Sequence, residues 1–330
     1  MNITIKDIAS IAGVSYSTVS KALNDSSLVK ENTKRKIVKI AKDLGYEPNF
    51  AAQRLVSKNT KVIGLIWPTI ERTVLATLVT KISNEMAKTP YSMILSVDPI
   101  QKSLDTFKKF QVDGVILFGE NTLTEINPNS IPLISYGVSG KKNYHYPIID
   151  ANHMKAMDDA INYLYELGHR NIKYVGNISP TDPLQMEKYQ GFTKAMEKYN
   201  ISYTNEDILD TGGLDWYHGY HAVDKMLKSN HLPTAIVGGS YDISGGIIRS
   251  LKENNVHIPD EISVISYDNI PQMAHLEIPL TCIGVSVEEL AEKIVHSAIT
   301  LIETKKLDSE VTKMIPSLVE RASCATVRNN

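Results

Sequence analysis

The chain has 330 residues, 42% of them apolar and 22% charged, with a net charge of −2. That length and composition suit about two or three globular domains with a sizeable core, and they exclude a disordered or fibrous chain. Residues 1–60 carry ten Lys/Arg against five Asp/Glu, a surplus of five that leaves −7 for the remainder, so a basic head able to face polyanions precedes an acidic body that is not.

Thr4-Ile5-Lys6-Asp7 opens a first helix, with a capping Thr and an acid three residues on. Ile5, Ile8, Ala9 and Ala12 recur at helical spacing. Gly13 makes the turn, because a left-handed backbone is cheap only without a Cβ. Ser15 is placed to cap a second helix, from which Val19, Ala22 and Leu23 point inward and Tyr16, Ser17, Ser20 and Lys21 point outward. Two helices about a short Gly turn, with a polar and partly basic outer face, form a helix-turn-helix. A third helix spans about Asn32 to Leu44, with Ile37, Ile40, Ala41 and Leu44 as its buried stripe and Gly45 as its C-terminal cap. Its outer face carries Lys34, Arg35, Lys36, Lys39 and Lys42. Pro48 then breaks the pattern, and Asn49–Ser57 has the length of a two-turn helix that is marginal alone in water.

The runs T-I-K-D-I-A, A-G-V-S-x-x-T-V-S-K-A-L-N and L-G-Y-E-P-N resemble the LacI/GalR family of bacterial transcription regulators. The resemblance implies an all-α helix-turn-helix DNA-binding domain at 1–47 and a hinge helix at 48–59. It implies an α/β periplasmic-binding-protein-like body at 60–330 built from two doubly wound parallel-sheet subdomains. The first subdomain would take about 60–150 and 284–314, the second about 151–283 and 315–330. Tyr16, Ser17 and Lys21 are then expected to read base edges, with Ser20 beside them. Thr4, Thr18, Asn24, Arg35 and Asn49 are expected on phosphates, a sequence-blind role. Lys21 stands where the family more often has Arg. Leu55 matches the hinge Leu wedged into the minor groove of the central base step, and Ala52 the small residue facing that groove, an arrangement that trades unstacking for a bend. The partners implied are double-stranded operator DNA of pseudo-palindromic sequence, a second copy of the chain, and a small sugar, sugar acid or sugar phosphate. The function implied is repression of carbohydrate-utilisation genes. A branch of the family answers instead to a phosphoprotein corepressor.

From Thr60 short apolar strands alternate with helices. Strands are expected at 62–66, 93–97, 115–118 and 133–136, with helices near 74–88 and 104–110. A second set follows, with strands at 173–176, 235–238 and 263–267 and helices at about 156–167, 186–199, 216–229 and 243–254. The segments 281–285, 287–303 and 314–321 close the chain. Two runs of βα units imply two open sheets, and ligands in such sheets bind beyond the carboxyl ends of the strands.

In that cleft Asp268 matches a family carboxylate that accepts from effector hydroxyls, for which two acceptor oxygens are suited. Lys188 replaces the usual Arg, a point charge in place of a planar fork. After Gly64-Leu65-Ile66 the family's P-D-x-x-N-P-F-F becomes Trp67-Pro68-Thr69-Ile70-Glu71-Arg72-Thr73-Val74-Leu75, so the aromatic pair is lost. The usual Asn-Asp before a later helix is Ser240-Tyr241. Trp67, Thr69, Arg72, Val74, Lys188, Trp216, Ser240, Tyr241 and Asp268 are the expected effector contacts. A stacking surface is expected from Trp67, Trp216 or Tyr241 unless the effector differs, and an acidic or phosphorylated sugar would use Lys188 and Arg72.

Cys282 and Cys324 are too few and too far apart for a disulfide framework and are expected as buried small side chains. The absence of an N-terminal apolar run and of a long apolar stretch points to a cytoplasmic protein without a membrane partner. Phosphate-loop, dinucleotide and metal-ligand motifs are absent, so neither an enzyme nor a cofactor is expected. A solute-binding transport protein sharing the body fold would carry a signal peptide and no basic head.

Overall fold

A computed structural model describes residues 3–23, 25–46, 59–119, 131–137, 146–229, 232–305 and 311–327. Asn24, Asn49, Ala52, Leu55 and residues 48–58 of the expected hinge lie outside the described residues. The chain divides into two compact units, Met1–Thr60 and Lys61–Asn330.

The first unit contains α1 (Ile5–Ala12), α2 (Tyr16–Leu23) and α3 (Glu31–Asp43). Its ends are set locally. Asp7 Oδ2 accepts from the Thr4 amide at 2.8 Å and the Thr4 hydroxyl at 2.7 Å. Gly13 is left-handed at φ 71°, and its N–H closes α1 on Ala9 O. Ser15 Oγ accepts from the Thr18 amide at 3.2 Å, capping α2. At the end of α3, Gly45 N–H donates to Lys42 O and Tyr46 N–H to Ala41 O, a Schellman closure about a glycine at φ 61°. The helices share a core of Ile8, Ala12, Val19, Ala22, Val29, Ile37 and Ala41. Ile40 and Leu44 only flank it.

The second unit holds two six-stranded sheets. The first has the order β11-β5-β4-β3-β1-β2, with β1 Val62–Ile66, β2 Ser92–Ser96, β3 Gly114–Phe118, β4 Leu133–Gly137, β5 Ile148–Asp150 and β11 Val311–Lys313. All its pairings are parallel. Helices α4 (Thr73–Met86) and α5 (Ile100–Phe110) link its strands. The second sheet has the order β12-β10-β9-β8-β6-β7, with β6 Ile172–Gly176, β7 Ile208–Asp210, β8 Ala235–Gly238, β9 Ser263–Asn269, β10 Thr281–Ser286 and β12 Ser317–Val319. It is parallel except for β12, which runs against β10. Its helices are α6 (His153–Glu166), α7 (Pro183–Lys198), α8 (Trp216–Leu227) and α9 (Tyr241–Glu253). α10 (Val287–Thr304) follows β10 but packs on α4 and the first sheet. The chain therefore passes between sheets after β5, after β10 and between β11 and β12.

The segment 314–321, expected to close the chain, contains the three-residue β12, antiparallel on β10, and follows the three-residue β11 of the other sheet. β5 and β7, also three residues long, were not expected as strands, because so short a run shows no periodicity. α7 starts earlier than expected, at Pro183, behind Asp182, which accepts from the Gln185 amide. Cys282 is buried and Cys324 half-buried, both as free thiols. No helix among the described residues is long and apolar enough to cross a membrane.

Candidate functional site

Two surfaces carry the residues expected to be functional. On the first unit, α2 offers Tyr16, which is 48% exposed, with Ser17 and Lys21 exposed and Thr18 and Ser20 half-buried. The hydroxyls of Ser15, Ser17 and Thr18 form one network, with Ser15 Oγ 2.9 Å from Ser17 Oγ and 2.8 Å from Thr18 Oγ1. Thr4 is exposed, but its hydroxyl proton is donated to Asp7. The basic face of α3 is less free than its sequence suggests. Lys34 is paired with Asp25, and Lys36 Nζ donates to Ala12 O at 3.1 Å, closing the end of α1. Arg35 is 75% exposed and holds Glu31 at 3.2 Å, an open pair of the kind that contributes little and is readily exchanged.

On the second unit, the carboxyl ends of the strands in both sheets meet at a cavity of about 60 Å³. From the first sheet and its helices come Arg72, Val74, Leu78, Phe118 and Tyr136. From the second come His153, Gln185, Lys188, Tyr267 and Asp268. Asp268 lies in a left-handed backbone (φ 87°), where β9 and β10 slip register between Ile283 and Ser286. That bend lets Asp268 Oδ2 accept from the Tyr241 amide, the first of α9, at 2.8 Å. A carboxylate at a helix start is favoured by the amides it meets there. Lys188 is 4% exposed. Its Nζ donates to Gly239 O at 2.9 Å and lies 3.9 Å from the centre of the Tyr267 ring. Burial lowers its pKa to about 8, against the upward pull of Asp268, with Arg72 adding a further lowering. Tyr267 O–H pairs with His153 Nδ1. Burial, aided by the charge of Lys188, holds the His153 imidazole well below its ordinary value and therefore neutral at pH 7. Burial also keeps the Tyr136 and Tyr267 phenols protonated.

Of the nine residues expected to contact an effector, Arg72, Val74, Lys188 and Asp268 line this cavity. The others do not. Trp67 is 2% exposed and lies edge-on to Phe118 at 4.8 Å, one layer behind the wall. Thr69 turns back to accept from the Glu71 amide. Ser240 is spent as the cap of α9, accepting from the Ile243 amide. Tyr241 contributes its amide to Asp268 rather than its ring to the wall. Trp216 is 46% exposed, among Tyr217, Tyr220 and Arg249 on α8 and α9. The aromatic rings that line the cavity belong to Phe118, Tyr136 and Tyr267. Phe118 and Tyr136 lie at or next to the carboxyl ends of β3 and β4, the place where such sheets bind ligands, and that rule applied to those strands was the signal available for them. His153 and Gln185 had no such signal. Among the described residues no group of three or more His, Cys, Asp or Glu is placed to hold a metal ion.

A family model described as bacterial regulatory proteins, lacI family, matches residues 4–49, and one described as a periplasmic binding protein-like domain matches 161–324. The HTH-type transcriptional repressor PurR of Actinobacillus pleuropneumoniae serotype 3 is 33% identical over 341 residues, covering 99% of this chain and 98% of that protein. Among solved structures, a lac repressor dimer bound to operator and the anti-inducer ONPF superposes with a TM-score of 0.86 at 21% identity, covering 98% of this chain and 100% of that one. A transcriptional regulator CelR–cellobiose complex gives 0.68 at 20% identity, covering 98% and 100%. With a relative one-third identical along nearly its full length, and a family model seated on the three helices of the first unit, this chain belongs to the LacI family of bacterial regulatory proteins, which are DNA-binding transcriptional regulators and not enzymes.

Proposed function

We propose that this regulator is a repressor that binds a pseudo-palindromic operator as a homodimer and is governed by a small sugar-derived effector held between the two lobes of its body. The observation that carries the effector reading is the cavity itself: residues of both sheets line it, and Asp268 presents a carboxylate there. The CelR structure holds cellobiose, and a carboxylate beside aromatic rings suits a polyol with an apolar face. At about 60 Å³ the cavity is smaller than the ~150 Å³ that takes a benzene ring. A sugar therefore enters only when the lobes part, and it holds them at a new angle. Coupling of that angle to operator affinity is of the usual order, about 1–3 kcal/mol.

Tyr16, Ser17 and Lys21 are the proposed base readers, with Ser20 beside them, and Arg35 a phosphate contact. Lys21→Ala is expected to change which half-site is preferred, at about 1–3 kcal/mol for the favoured sequence. Arg35→Ala is expected to weaken every sequence alike and to lower the salt slope by about one. Operator titrations on a half-site panel at several salt concentrations check both, and equal loss on all sequences for both variants removes the assignment. For the body, Asp268→Asn is expected to keep operator affinity without effector and to lose the response to it. Operator-release titrations with a panel of sugars read this, and an undiminished response removes Asp268 from the site.

A further inference from the structure

His153 opens α6 at 3% exposure, and its ring forms part of the cavity wall. Its Nδ1 is paired with the Tyr267 hydroxyl. Its Nε2 is buried without a protein partner. The phenol stays protonated, and in the tautomer in which its O–H is given to Nδ1 the imidazole proton resides on Nε2, a donor left over on a residue that lines the cavity. Arg72 Nε is likewise buried without a hydrogen-bond partner, 3.7 Å from Asp242 Oδ2, which is itself unpaired in hydrogen-bonding terms. The Lys188 ammonium completes the set. Against these donors the wall sets one carboxylate, Asp268, and that one already accepts the first amide of α9. A buried donor left without a partner destabilises the fold, and a ligand bearing several acceptor oxygens on one group relieves more than one at once.

We propose that Lys188, His153 and Arg72 form an oxyanion seat, and that the effector is a sugar carrying a carboxylate or a phosphate, selected over its neutral counterpart by these three donors. The inference rests on the reading of the cavity as the effector site. His153 is its specificity-determining member. As a neutral donor it binds an oxyanion without adding a buried charge.

The test is isothermal titration of the full-length protein at pH 7 with hexoses and pentoses, each paired with its own aldonate, uronate and terminal phosphate, and with inorganic phosphate alone. Release of operator is followed in parallel. The expected result is at least ten-fold tighter binding of one oxyanion form than of its neutral parent, the acid and phosphate arms deciding which oxyanion is used. His153→Ala is expected to remove about ten-fold from the oxyanion affinity and to weaken the neutral sugar by clearly less. His153→Gln, which keeps an N–H donor, is expected to recover part of it. Neutral sugars that bind as tightly as their acids and phosphates overturn the oxyanion seat and leave the effector site standing. Equal weakening of both classes by His153→Ala also overturns it, by making His153 a packing residue. No binding by any member of the panel overturns the seat and the effector reading together, while intact operator binding preserves the DNA-binding assignment.

Discussion

Gly246→Ala is expected to destabilise the body by about 3 kcal/mol, the upper end of what overpacking costs, while Gly245→Ala beside it is expected to stabilise by about 0.5–1 kcal/mol through helix propensity. The two substitutions are chemically identical and lie on the same helix, α9. A Cβ at 246 would stand 1.8 Å from Trp216 O and 2.6 Å from Tyr220 N, both backbone atoms of α8. A Cβ at 245 meets nothing within 4 Å. The contact is closed from the other side by Gly219, where a Cβ would come within 2.3 Å of Ile243 O. Backbone cannot swing aside as a side-chain tip does, so α9 must move off α8. The start of α9 carries the amide that holds Asp268. Any Gly246→Ala protein that still folds is therefore expected to lose effector response as well. Urea unfolding of the two variants checks the contrast, and similar midpoints for both would show that the helices do not touch as described.

Lys188→Met is expected to give a protein that is no less stable at neutral pH and deaf to effector. The fall from the ordinary 10.5 to about 8 comes first from burial, resisted by Asp268 and Asp182 and assisted by Arg72. Between about pH 8 and 10.5 the unfolded chain holds a proton that the folded chain has released, so the stability of the natural protein rises with pH across that window. Below it the buried charge costs about 3 kcal/mol relative to a neutral amine. Methionine removes that cost but strands Gly239 O, the acceptor at 2.9 Å, at about 1–3 kcal/mol, and gives up the longer 3.4 Å contact to Gln185 Oε1. The net gain at pH 7 is about 0–2 kcal/mol, and it reverses as the pH approaches 10.5. Denaturant midpoints of both proteins at pH 7 and pH 10 test this. A variant less stable than the natural protein at pH 7 would mean that the ammonium supports the fold rather than burdening it. Strain of this kind, retained where a ligand binds, is the usual trade between stability and function.

The legibility of the two surfaces differs for a physical reason. In the first unit the decisive contacts are local: Thr4 with Asp7, Ser15 with Thr18, and left-handed glycines at 13 and 45. Capping and periodicity are properties of a few consecutive residues, so the helix-turn-helix could be read directly. Even there Lys34 and Lys36 were misjudged as open charge, because their partners, Asp25 and Ala12 O, lie nine and twenty-four residues away. In the body, the alternation of strands and helices was readable wherever a strand ran to four residues or more. The three-residue strands β5, β7, β11 and β12 form only because a neighbour is already in place to receive their hydrogen bonds.

By itself, then, the sequence determined a basic three-helix head, two βα lobes, and three charged residues that line the cavity, Arg72, Lys188 and Asp268. Only the tertiary structure decided which aromatic rings face the cavity, that Trp67 and Trp216 do not, and that His153 does. Phe118, Tyr136, His153, Lys188 and Tyr267 are scattered over about 150 positions and are gathered by the crossing of the chain between sheets. A wall assembled from strand ends belongs to no single segment, and no local preference encodes which side chain turns toward it.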